Sequence, residues 1–330
     1  MTAVFAVIAM VAIGEGTSAK IESSINSLGT NLIMAYPGSS SSGGVRLGAG
    51  TSAQFTLDDI EAIKKEATLL SGISPVIRAG GQVIGGGSNW STTVYGVTTD
   101  YFEICNWQIE SGSFFTDKDI SGRRKVALLG KSVADELFPD GNAVGQKIRI
   151  RNIPFTVVGV LKEKGQTSMG PDQDDLILAP ATAVMLSLKG NQRIDMINAG
   201  AVSADKVDTA MAELRTILRS AHKLPTGEDD DFTVRSQAEI LETVSSVGAT
   251  MTLLLGAIAA VSLVVGGIGI MNIMLVSVTE RTREIGIRLS VGARESDIMV
   301  QFLSEAIVLS VSGGVIGIGV AAGVAYILNQ

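Results

Sequence analysis

The sequence has little of several residue types on which common sites and scaffolds depend. Its 330 residues include one Cys, one His and seven Pro. A lone Cys excludes an intrachain disulfide, and one Cys with one His argues against a zinc cluster built from these ligands. Charged residues make up only 18%, below the roughly one quarter typical of soluble domains. The net charge of −7 argues against nucleic-acid binding, and the 46% of hydrophobic residues excludes a disordered chain.

The hydrophobic residues are concentrated in long runs towards the end of the chain. No charged residue lies between Glu242 and Glu280, and after Ile298 the only charge is Glu305. A helix that spans a bilayer needs about 20 apolar residues. We therefore predict two transmembrane helices, at about 249–278 and about 299–328.

The N-terminal residues 1–13 are also uncharged and apolar, but they are too few to span a bilayer. A signal peptide would carry a basic segment before its apolar core, and Gly14, Glu15 and Gly16 stand where its cleavage site should be. We favour the other interpretation, in which residues 1–13 are the outer part of transmembrane helix 1 and its beginning lies upstream of this chain.

The distribution of basic residues predicts which segments face the cytoplasm. Short loops rich in arginine stay on the cytoplasmic side, and the segment 280–297 is the densest in basic residues. Its basic residues are Arg281, Arg283, Arg288 and Arg294. Residues 14–245 then form an extracytoplasmic domain, and residues 246–330 form the main membrane part. With this orientation the third helix ends outside the cytoplasm, so we expect a fragment at both ends.

Residues 14–245 show alternating strand and helix signals. Runs of β-branched and aromatic residues predict strands, and apolar residues at helical spacing after Ser or Thr predict helices. Thr56 and Asp59 have the spacing of a capping box at the start of one helix, and a hairpin is predicted around Asn152. The predicted strands are 31–36, a pair within 76–97, 126–129, 147–151, 155–161, 176–179, 196–202 and 232–234, and the predicted helices are 20–28, 57–67, 132–138 and 204–221. This order indicates a βαβ-like unit with a second unit inserted at about 107–190. The predicted fold class is a membrane protein with an α-helical transmembrane part and an inserted α+β extracytoplasmic domain of two subdomains.

A long helix is predicted at the boundary between these two parts. Ser236 and Glu239 have the spacing of a capping box, which starts a helix by bonding two free amides. If this helix runs to about Val278, it is about 63 Å long, whereas the bilayer core takes about 30 Å. About half of it would stand outside the membrane as a stalk, with Ser236, Glu239 and Glu242 at its base.

Motifs for nucleotide binding and catalysis are missing from the sequence. Residues 129–132 end like a P-loop, but Lys125 occupies a position where that motif requires Gly. A glycine cluster at 266–269 lies inside an apolar helix rather than after a strand, which excludes a dinucleotide loop. His222 and Cys105 have no partners nearby in sequence and are interpreted as structural. We predict no catalytic, cofactor-binding or metal-binding residue, and no enzyme activity in this chain.

Two features of the last predicted helix carry specific expectations. Small residues spaced four apart let helices approach closely, so we predict helix packing, within the chain or in a dimer, at Gly313, Gly317, Gly319 and Gly323. Glu305 lies about 10 Å into this helix. A charge inside a membrane is a functional candidate, but its position near the helix start favours snorkelling or pairing with a loop arginine.

The most informative segment lies between the second and third helices. Four apolar residues occur in a loop that should face water, namely Ile285, Ile287, Leu289 and Val291. Glu284 can pair with Arg288 if the segment is helical. Apolar residues flanked by arginines suit the docking of a cytoplasmic partner, and the alternative is that they pack beneath the membrane helices. The predicted docking residues are Glu280, Arg281, Arg283, Glu284, Ile285, Ile287, Arg288 and Leu289.

Several segments resemble MacB-type ABC transporter permeases. Residues 10–16 look like the end of that family's first membrane helix, and residues 267–288 closely resemble the FtsX-like permease signature. The segments that look like the family's periplasmic core domain are 107–112, Phe114, 126–130, 137–138, 144–148 and 155–160. The resemblance covers essentially the whole chain. The family has four membrane helices, and this sequence lacks most of the first and all of the fourth.

The resemblance implies an export permease that forms a homodimer or pairs with a second permease in the bacterial plasma (inner) membrane. An ABC ATPase would dock on the loop after the second helix, here 280–294, and ATP would act only through that ATPase, with no cofactor bound to this chain. The ATP-driven motion would pass along the stalk to the extracytoplasmic domain, which expels a macrolide, peptide, lipoprotein or similar substrate. A periplasmic adaptor and an outer-membrane channel are further expected partners, and nucleic acid is not.

Two other functions are kept as alternatives. A division-type FtsX-like protein would regulate a cell-wall hydrolase and export nothing, and the size of the extracytoplasmic domain favours the exporter. A membrane-tethered binding protein would need no ATP coupling, and the apolar, arginine-rich loop argues against it.

Overall fold

The computed structural model describes residues 31–38, 41–42, 45–46, 54–165 and 172–328. The chain divides into two compact units. We call Lys20–Glu242 the sheet unit, and the helical unit comprises Met1–Ala19 with Thr243–Gln330. The predicted outer part of transmembrane helix 1, residues 1–13, and the helix predicted at 20–28 lie outside the described residues.

The described part of the sheet unit contains twelve strands and six short helices. The strands are β1 (Leu32–Pro37), β2 (Ser41–Ser42), β3 (Val45–Arg46), β4 (Leu70–Gly85), β5 (Ser88–Val97), β6 (Ile109–Gly112), β7 (Val126–Leu129), β8 (Lys147–Ile150), β9 (Ile153–Leu161), β10 (Leu176–Pro180), β11 (Met196–Ala201) and β12 (Phe232–Ser236). The helices are α1 (Leu57–Glu66), α2 (Asp100–Ile104), α3 (Asp117–Ser121), α4 (Lys131–Leu137), α5 (Ala181–Ala183, continued by a π-helix at Val184–Lys189) and α6 (Val207–Ala221). The helix predicted at 204–221 begins as a 3-10 turn, Ala204–Lys206.

Helix α1 starts at the predicted capping box. The Asp59 carboxylate accepts hydrogen bonds from the Thr56 amide at 2.7 Å and from the Thr56 hydroxyl at 3.0 Å. After the helix ends, Glu213 of α6 accepts the amides of Thr68 and Leu69 at 2.9 and 3.0 Å. The chain between α1 and β4 is therefore fastened to α6, and the two helices lie side by side.

Four strands form a layer in the order β12-β1-β11-β4. Strands β1 and β4 are both antiparallel to β11, and β11 and β12 are both antiparallel to β1. Each helix therefore connects two strands that run parallel with one strand between them: β1-α1-β4 and β11-α6-β12. Two interleaved split βαβ units of this kind make a ferredoxin-like layer, in place of the single βαβ-like unit that the sequence predicted.

The two faces of this layer are buried by different partners, because successive strand residues point to opposite faces. Ile33 and Ala35 of β1 belong to the hydrophobic cluster that includes α1 and α6. Leu32 and Met34 belong to a second cluster, which α2 covers with Tyr101 and Phe102 among others. The layer is thus buried on both sides.

A second sheet, which closes into a ring, includes the C-terminal half of β4. Strand β4 has 16 residues; it pairs with β11 up to Val76 and with β5 from Ile77 onwards. The path continues β5-β10-β7-β9, and β8 pairs with both β9 and β4, which closes the ring through the pair Val83 and Ile150. Its interior is filled by Val83, Val94, Ile148, Phe155 and Ile177. The insertion predicted at about 107–190 covers only part of this ring, because β4 and β5 precede it.

Three helices make up the described part of the helical unit and the base that leads into it. They are α7 (Gln237–Glu280), α8 (Thr282–Ser290) and α9 (Glu295–Leu328). Two segments are long and apolar enough to cross a membrane by length and composition, Gln237–Glu280 and Glu295–Gly319. The segment 280–297, which the sequence predicted as a loop, contains a helix of its own, α8, and the start of α9.

Candidate functional site

The base of α7 is fixed to the edge of the four-stranded layer. The Glu239 amide donates to Ser236 Oγ at 3.1 Å, and Glu239 Oε2 accepts the Ser236 amide at 3.2 Å. This is the reciprocal bonding that was predicted for the capping box. Ser236 is itself buried, and Ile240 of the first turn packs against the second hydrophobic cluster. The first turn of α7 is therefore part of the sheet unit, while Glu242 is exposed.

Helix α7 is unbroken from Gln237 to Glu280, a run of 44 residues. At 1.5 Å per residue it is about 66 Å long, against about 30 Å for the hydrocarbon core of a bilayer. A helix of this length has enough residues both to cross a membrane and to extend well beyond it. The stalk role of Ser236, Glu239 and Glu242 stays a prediction.

Polar contacts hold α8 to α9. Arg288 Nη2 lies 2.5 Å from Glu284 Oε1, which is the i,i+4 pair expected for a helical segment, and Arg288 Nη1 donates to Gln301 Oε1 at 2.7 Å. Arg281 Nη1 lies 4.0 Å from Glu305 Oε2. Glu305 therefore has the loop arginine that the favoured interpretation required. These pairs are half exposed, so each adds at most about 1 kcal/mol.

The neighbouring side of α8 is apolar and uncovered. Ile287 is 57% and Val291 84% exposed, whereas Ile285 is half-buried. With 3.6 residues per turn, Ile287 and Val291 share one side with Arg283, and Ile285 lies nearly opposite. In the described part of the chain, Arg283 makes no ion pair. The uncovered face of α8, which we call the α8 face, is Arg283, Ile287 and Val291.

The α8 face differs in part from the predicted docking residues. Arg281 and Arg288 are engaged with α9, and Leu289 lies towards the side of Ile285. Val291 was not among the predicted docking residues, although its spacing of four from Ile287 was a usable signal.

The glycines predicted for helix packing in α9 have unequal surroundings. Gly317 is buried and Gly313 half-buried. A Cβ added at Gly319 or Gly323 would meet no atom within 4 Å. No described part of the chain lies within 4 Å of a Cβ at the last two positions, and helix packing at all four glycines stays a prediction.

The P-loop-like segment has a structural role. A Cβ at Gly130 would lie 2.1 Å from the Asp174 carbonyl oxygen, so glycine is required there by close backbone packing. The Ser132 hydroxyl donates to Asp172 Oδ2 at 2.5 Å, and Lys131 lies 3.0 Å from Glu110 Oε1. Carboxylates thus occupy the positions where a phosphate would need donors.

Cys105 does not have the environment of a reactive thiol. Burial raises the pKa of the Cys105 thiol to about 11, and Asn198 Nδ2 lies 3.7 Å from its sulfur. A thiol with so high a pKa holds its proton at neutral pH and is a poor nucleophile. Within the described ranges, no three His, Cys, Asp or Glu side chains are placed to hold a metal ion.

Two families match this chain. Residues 1–217 match the MacB-like periplasmic core domain, and residues 256–330 match the FtsX-like permease C-terminal family. The protein named macrolide export ATP-binding/permease protein MacB from Chlorobium luteolum is 43% identical over 328 residues, which is 99% of this chain and 49% of that protein. The protein of the same name from Syntrophobacter fumaroxidans is 38% identical over 380 residues, covering 99% of this chain and 53% of that protein. The chain spans about half the length of the curated relatives it matches.

Two solved structures share the fold of the sheet unit. The periplasmic region of MacB from Actinobacillus actinomycetemcomitans superposes with a TM-score of 0.55 at 22% identity, covering 68% of this chain and 97% of that chain. The extracellular domain of the noncanonic ABC-type transporter YknZ from Gram-positive bacteria gives a TM-score of 0.50 at 18% identity, covering 62% of this chain and 100% of that chain. At these identities the likeness concerns the fold alone.

Proposed function

The chain belongs to the MacB-like periplasmic core domain family and carries an FtsX-like permease C-terminal segment, and from this premise we propose that it is the permease part of an ABC-type exporter. The resemblance drawn from the sequence is confirmed. The chain is a membrane protein with an extracytoplasmic domain, and that domain is the sheet unit.

The proposed mechanism couples ATP hydrolysis on the cytoplasmic side to motion of the extracytoplasmic domain. The ATPase is either a partner chain or a further domain, since the matched relatives are named ATP-binding/permease proteins and extend well beyond this chain. This chain supplies no catalytic group to the hydrolysis. It binds the ATPase, carries the motion and delivers it to the domain that expels a macrolide, peptide, lipoprotein or similar substrate.

The observation that carries this proposal is the continuity of α7. One helix leads from a capped, buried start at Ser236 to Glu280, directly before α8. Helices transmit axial displacement well because, beyond the first turn, each backbone amide donates a hydrogen bond to a carbonyl of the preceding turn. A displacement of α8 by an ATPase would therefore reach β12 without passing through a loop.

We propose the α8 face as the contact with the ATPase. Buried aromatic, aliphatic and arginine side chains dominate the energy of protein interfaces. The α8 face offers Ile287 and Val291 as apolar anchors with Arg283 beside them. The neighbouring side of α8 is already held to α9, because Arg288 donates to Gln301. In this proposal Arg281 and Arg288 hold α8 against α9 and do not contact the ATPase.

The remaining parts of the proposal follow the family. We place the protein in the bacterial plasma (inner) membrane as a multi-pass chain that works as a homodimer or with a second permease. A periplasmic adaptor and an outer-membrane channel complete the export route in Gram-negative hosts. ATP acts through the ATPase, and this chain binds no cofactor of its own. The division-type alternative is not favoured, because the relatives matched over 99% of the chain are named for macrolide export.

The docking proposal is tested by Ile287→Asp in the full-length protein. A carboxylate on the α8 face would be buried without a partner in the complex, so binding of a separately expressed ATPase domain should weaken about tenfold or more. Export in reconstituted vesicles should fall with it. The matched control is Val202→Asp, since Val202 is 54% exposed on the sheet unit and lies outside the α8 face. Unchanged binding and export in Ile287→Asp would remove the α8 face from the contact.

A further inference from the structure

A buried charged cluster joins three elements of the sheet unit beside the start of β12. His222 directly follows α6, and its side chain is 7% exposed. Its Nδ1 lies 2.9 and 3.0 Å from the two carboxylate oxygens of Asp231, and its Nε2 lies 3.6 Å from Asp59 Oδ2. The rings of Phe55 and Phe232 pack against the imidazole at centroid distances of 5.8 and 5.7 Å. The cluster thus links α1, α6 and the residue before β12.

The imidazole of His222 is cationic at neutral pH. A neutral imidazole has one N–H, whereas the imidazolium can donate to both carboxylates. The nearby carboxylate of Asp59 is the largest cause that raises the pKa of His222 to about 9, burial opposes it, and Asp231 adds to it. Burial alone would raise the pKa of Asp59, but its contact with His222 and its hydrogen bonds with Thr56 hold that pKa below its ordinary value.

No other charge competes for this cluster in the described structure. The facing acids are Asp59 from α1 and Asp231 from the segment before β12. From α6, Arg215 and Arg219 both pair with Asp230. The neighbouring cations are therefore engaged elsewhere, and His222 alone balances the two buried carboxylates.

Strand β12 is hydrogen-bonded to the four-stranded layer along one side only. It is the edge of the described four-stranded layer and pairs only with β1, from Phe232 to Ser236. At one end Ser236 continues into α7. At the other end Asp231 is held by His222 and by the Gly38 amide, which donates to the Asp231 carbonyl at 2.8 Å.

We propose that His222 is a positioning residue that clasps the leading end of β12 onto α1 and α6, so that displacement arriving along α7 moves the whole layer instead of detaching β12 from β1. The part of this proposal that concerns displacement rests on the proposed export function. The clasp itself rests on the geometry alone. An edge strand is bonded to the layer on one side only. The contacts of His222 with Asp231 and Asp59 add an attachment to α1 and α6, which must also break before β12 can leave the layer.

The first test measures amide hydrogen exchange in β12 in the full-length protein. His222→Gln removes the charge and leaves two buried carboxylates without a cation, so protection of the β12 amides should fall about 10- to 100-fold. Asp231→Asn is the second variant, because it keeps the shape of the side chain and is the more conservative change. The matched control is Arg215→Gln, which breaks the ion pair of Arg215 in α6 with Asp230. The Arg215 side chain is 61% exposed, so this change should alter the protection of the β12 amides less than about twofold.

The pH dependence separates a charge clasp from ordinary packing. The pKa of His222 rises from 6.5 to about 9 on folding. The clasp therefore contributes its full stability below about pH 6.5, loses it as the pH rises towards about 9, and contributes none above that. Protection of β12, corrected for intrinsic exchange rates, should fall between pH 7 and pH 10 in the unchanged protein and stay flat in His222→Gln.

The outcomes distinguish the clasp from the export function. The clasp is overturned if Asp231→Asn leaves the protection of the β12 amides within twofold of that in the unchanged protein. It is also overturned if the pH profile of this protection is the same with and without His222. If the clasp is correct and the complex exports, His222→Gln retains ATP hydrolysis and exports less substrate per ATP. Absence of ATP-driven export in the unchanged complex overturns the proposed function, and the exchange result still decides the clasp.

Discussion

Ser236 lies opposite Ile33 in the register between β12 and β1, so the last residue of the edge strand is also the residue that caps α7. Its neighbour in the layer, Ile33, is fully buried against the helix pair. The residue that starts the long helix is thus paired to the core of the sheet unit, with no flexible connection between strand and helix.

Replacing this cap should loosen the start of α7. Ser236→Ala removes the oxygen that accepts the Glu239 amide, and a lost N-cap of this kind costs about 1 kcal/mol. We expect faster amide exchange in the first turn of α7 and a lower free energy of unfolding of the sheet unit. Ser245→Ala, at an exposed position of the same helix, is the control and should leave both unchanged. Equal exchange in the two variants would contradict the capping role.

The stiffness of α7 between Glu242 and Gly248 is required for coupling in our mechanism. Two Gly inserted after Val244 each cost about 1 kcal/mol of helix stability relative to Ala, and they rotate the two ends by about 200°. Two Ala at the same place cause the same rotation but keep the helix stiff. Export per ATP in reconstituted complex should fall most with the Gly pair. Equal export in the Gly variant and the unchanged protein would contradict transmission along α7.

The sheet unit and α8 should be reached by reagents from opposite sides of the membrane. We expect Ser42→Cys to react with an impermeant thiol reagent in cells with a permeable outer membrane, and Ser290→Cys to react only after the inner membrane is opened. Both are placed in full-length protein that also carries Cys105→Ala, which removes the only thiol of this 330-residue chain. Labelling of Ser290→Cys alone in intact cells would reverse the orientation and with it the export mechanism.

Asp174 should be important for the stability of the closed sheet. Its buried carboxylate accepts the Lys164 amide at 2.9 Å and the Gly165 amide at 2.7 Å. Asp174→Ala leaves these donors without the acceptor, and we expect a loss of about 3 kcal/mol in the free energy of unfolding. Glu163→Ala, at an exposed neighbour, should cost less than about 0.5 kcal/mol. Similar unfolding midpoints for the two variants in denaturant would refute this role.

The elements that were predictable from the sequence are those with a local signal. The boxes at Thr56 and Ser236 marked the starts of α1 and α7, and both are present. The hairpin of β8 and β9 turns at Arg151 and Asn152, which both have positive φ, close to where Asn152 predicted it. In each case the residues that decide the structure are within a few positions of one another.

What could not be predicted depends on pairs far apart in the chain. Strand β4 begins at Leu70, before the predicted start at Val76, because its first half pairs with β11, which follows about 120 residues later. Closure of the ring depends on Val83 meeting Ile150. The prediction that His222 has no partner nearby in sequence was wrong for Asp231, which lies nine residues later at 2.9 Å. Its other partner, Asp59, comes from 163 residues earlier in the chain. The hydrophobic periodicity of one segment does not reveal which distant segment it pairs with.

The covering of the four-stranded layer by α2 has a consequence for how the sheet unit folds. Tyr101 and Phe102 belong to the segment between β4 and β11, yet they lie in one hydrophobic cluster with Leu32 and Met34 of β1. The ferredoxin-like layer is therefore incomplete without the chain that forms the closed sheet, and β4 runs through both. We expect the sheet unit to melt in a single cooperative transition, with no stable half released by proteolysis.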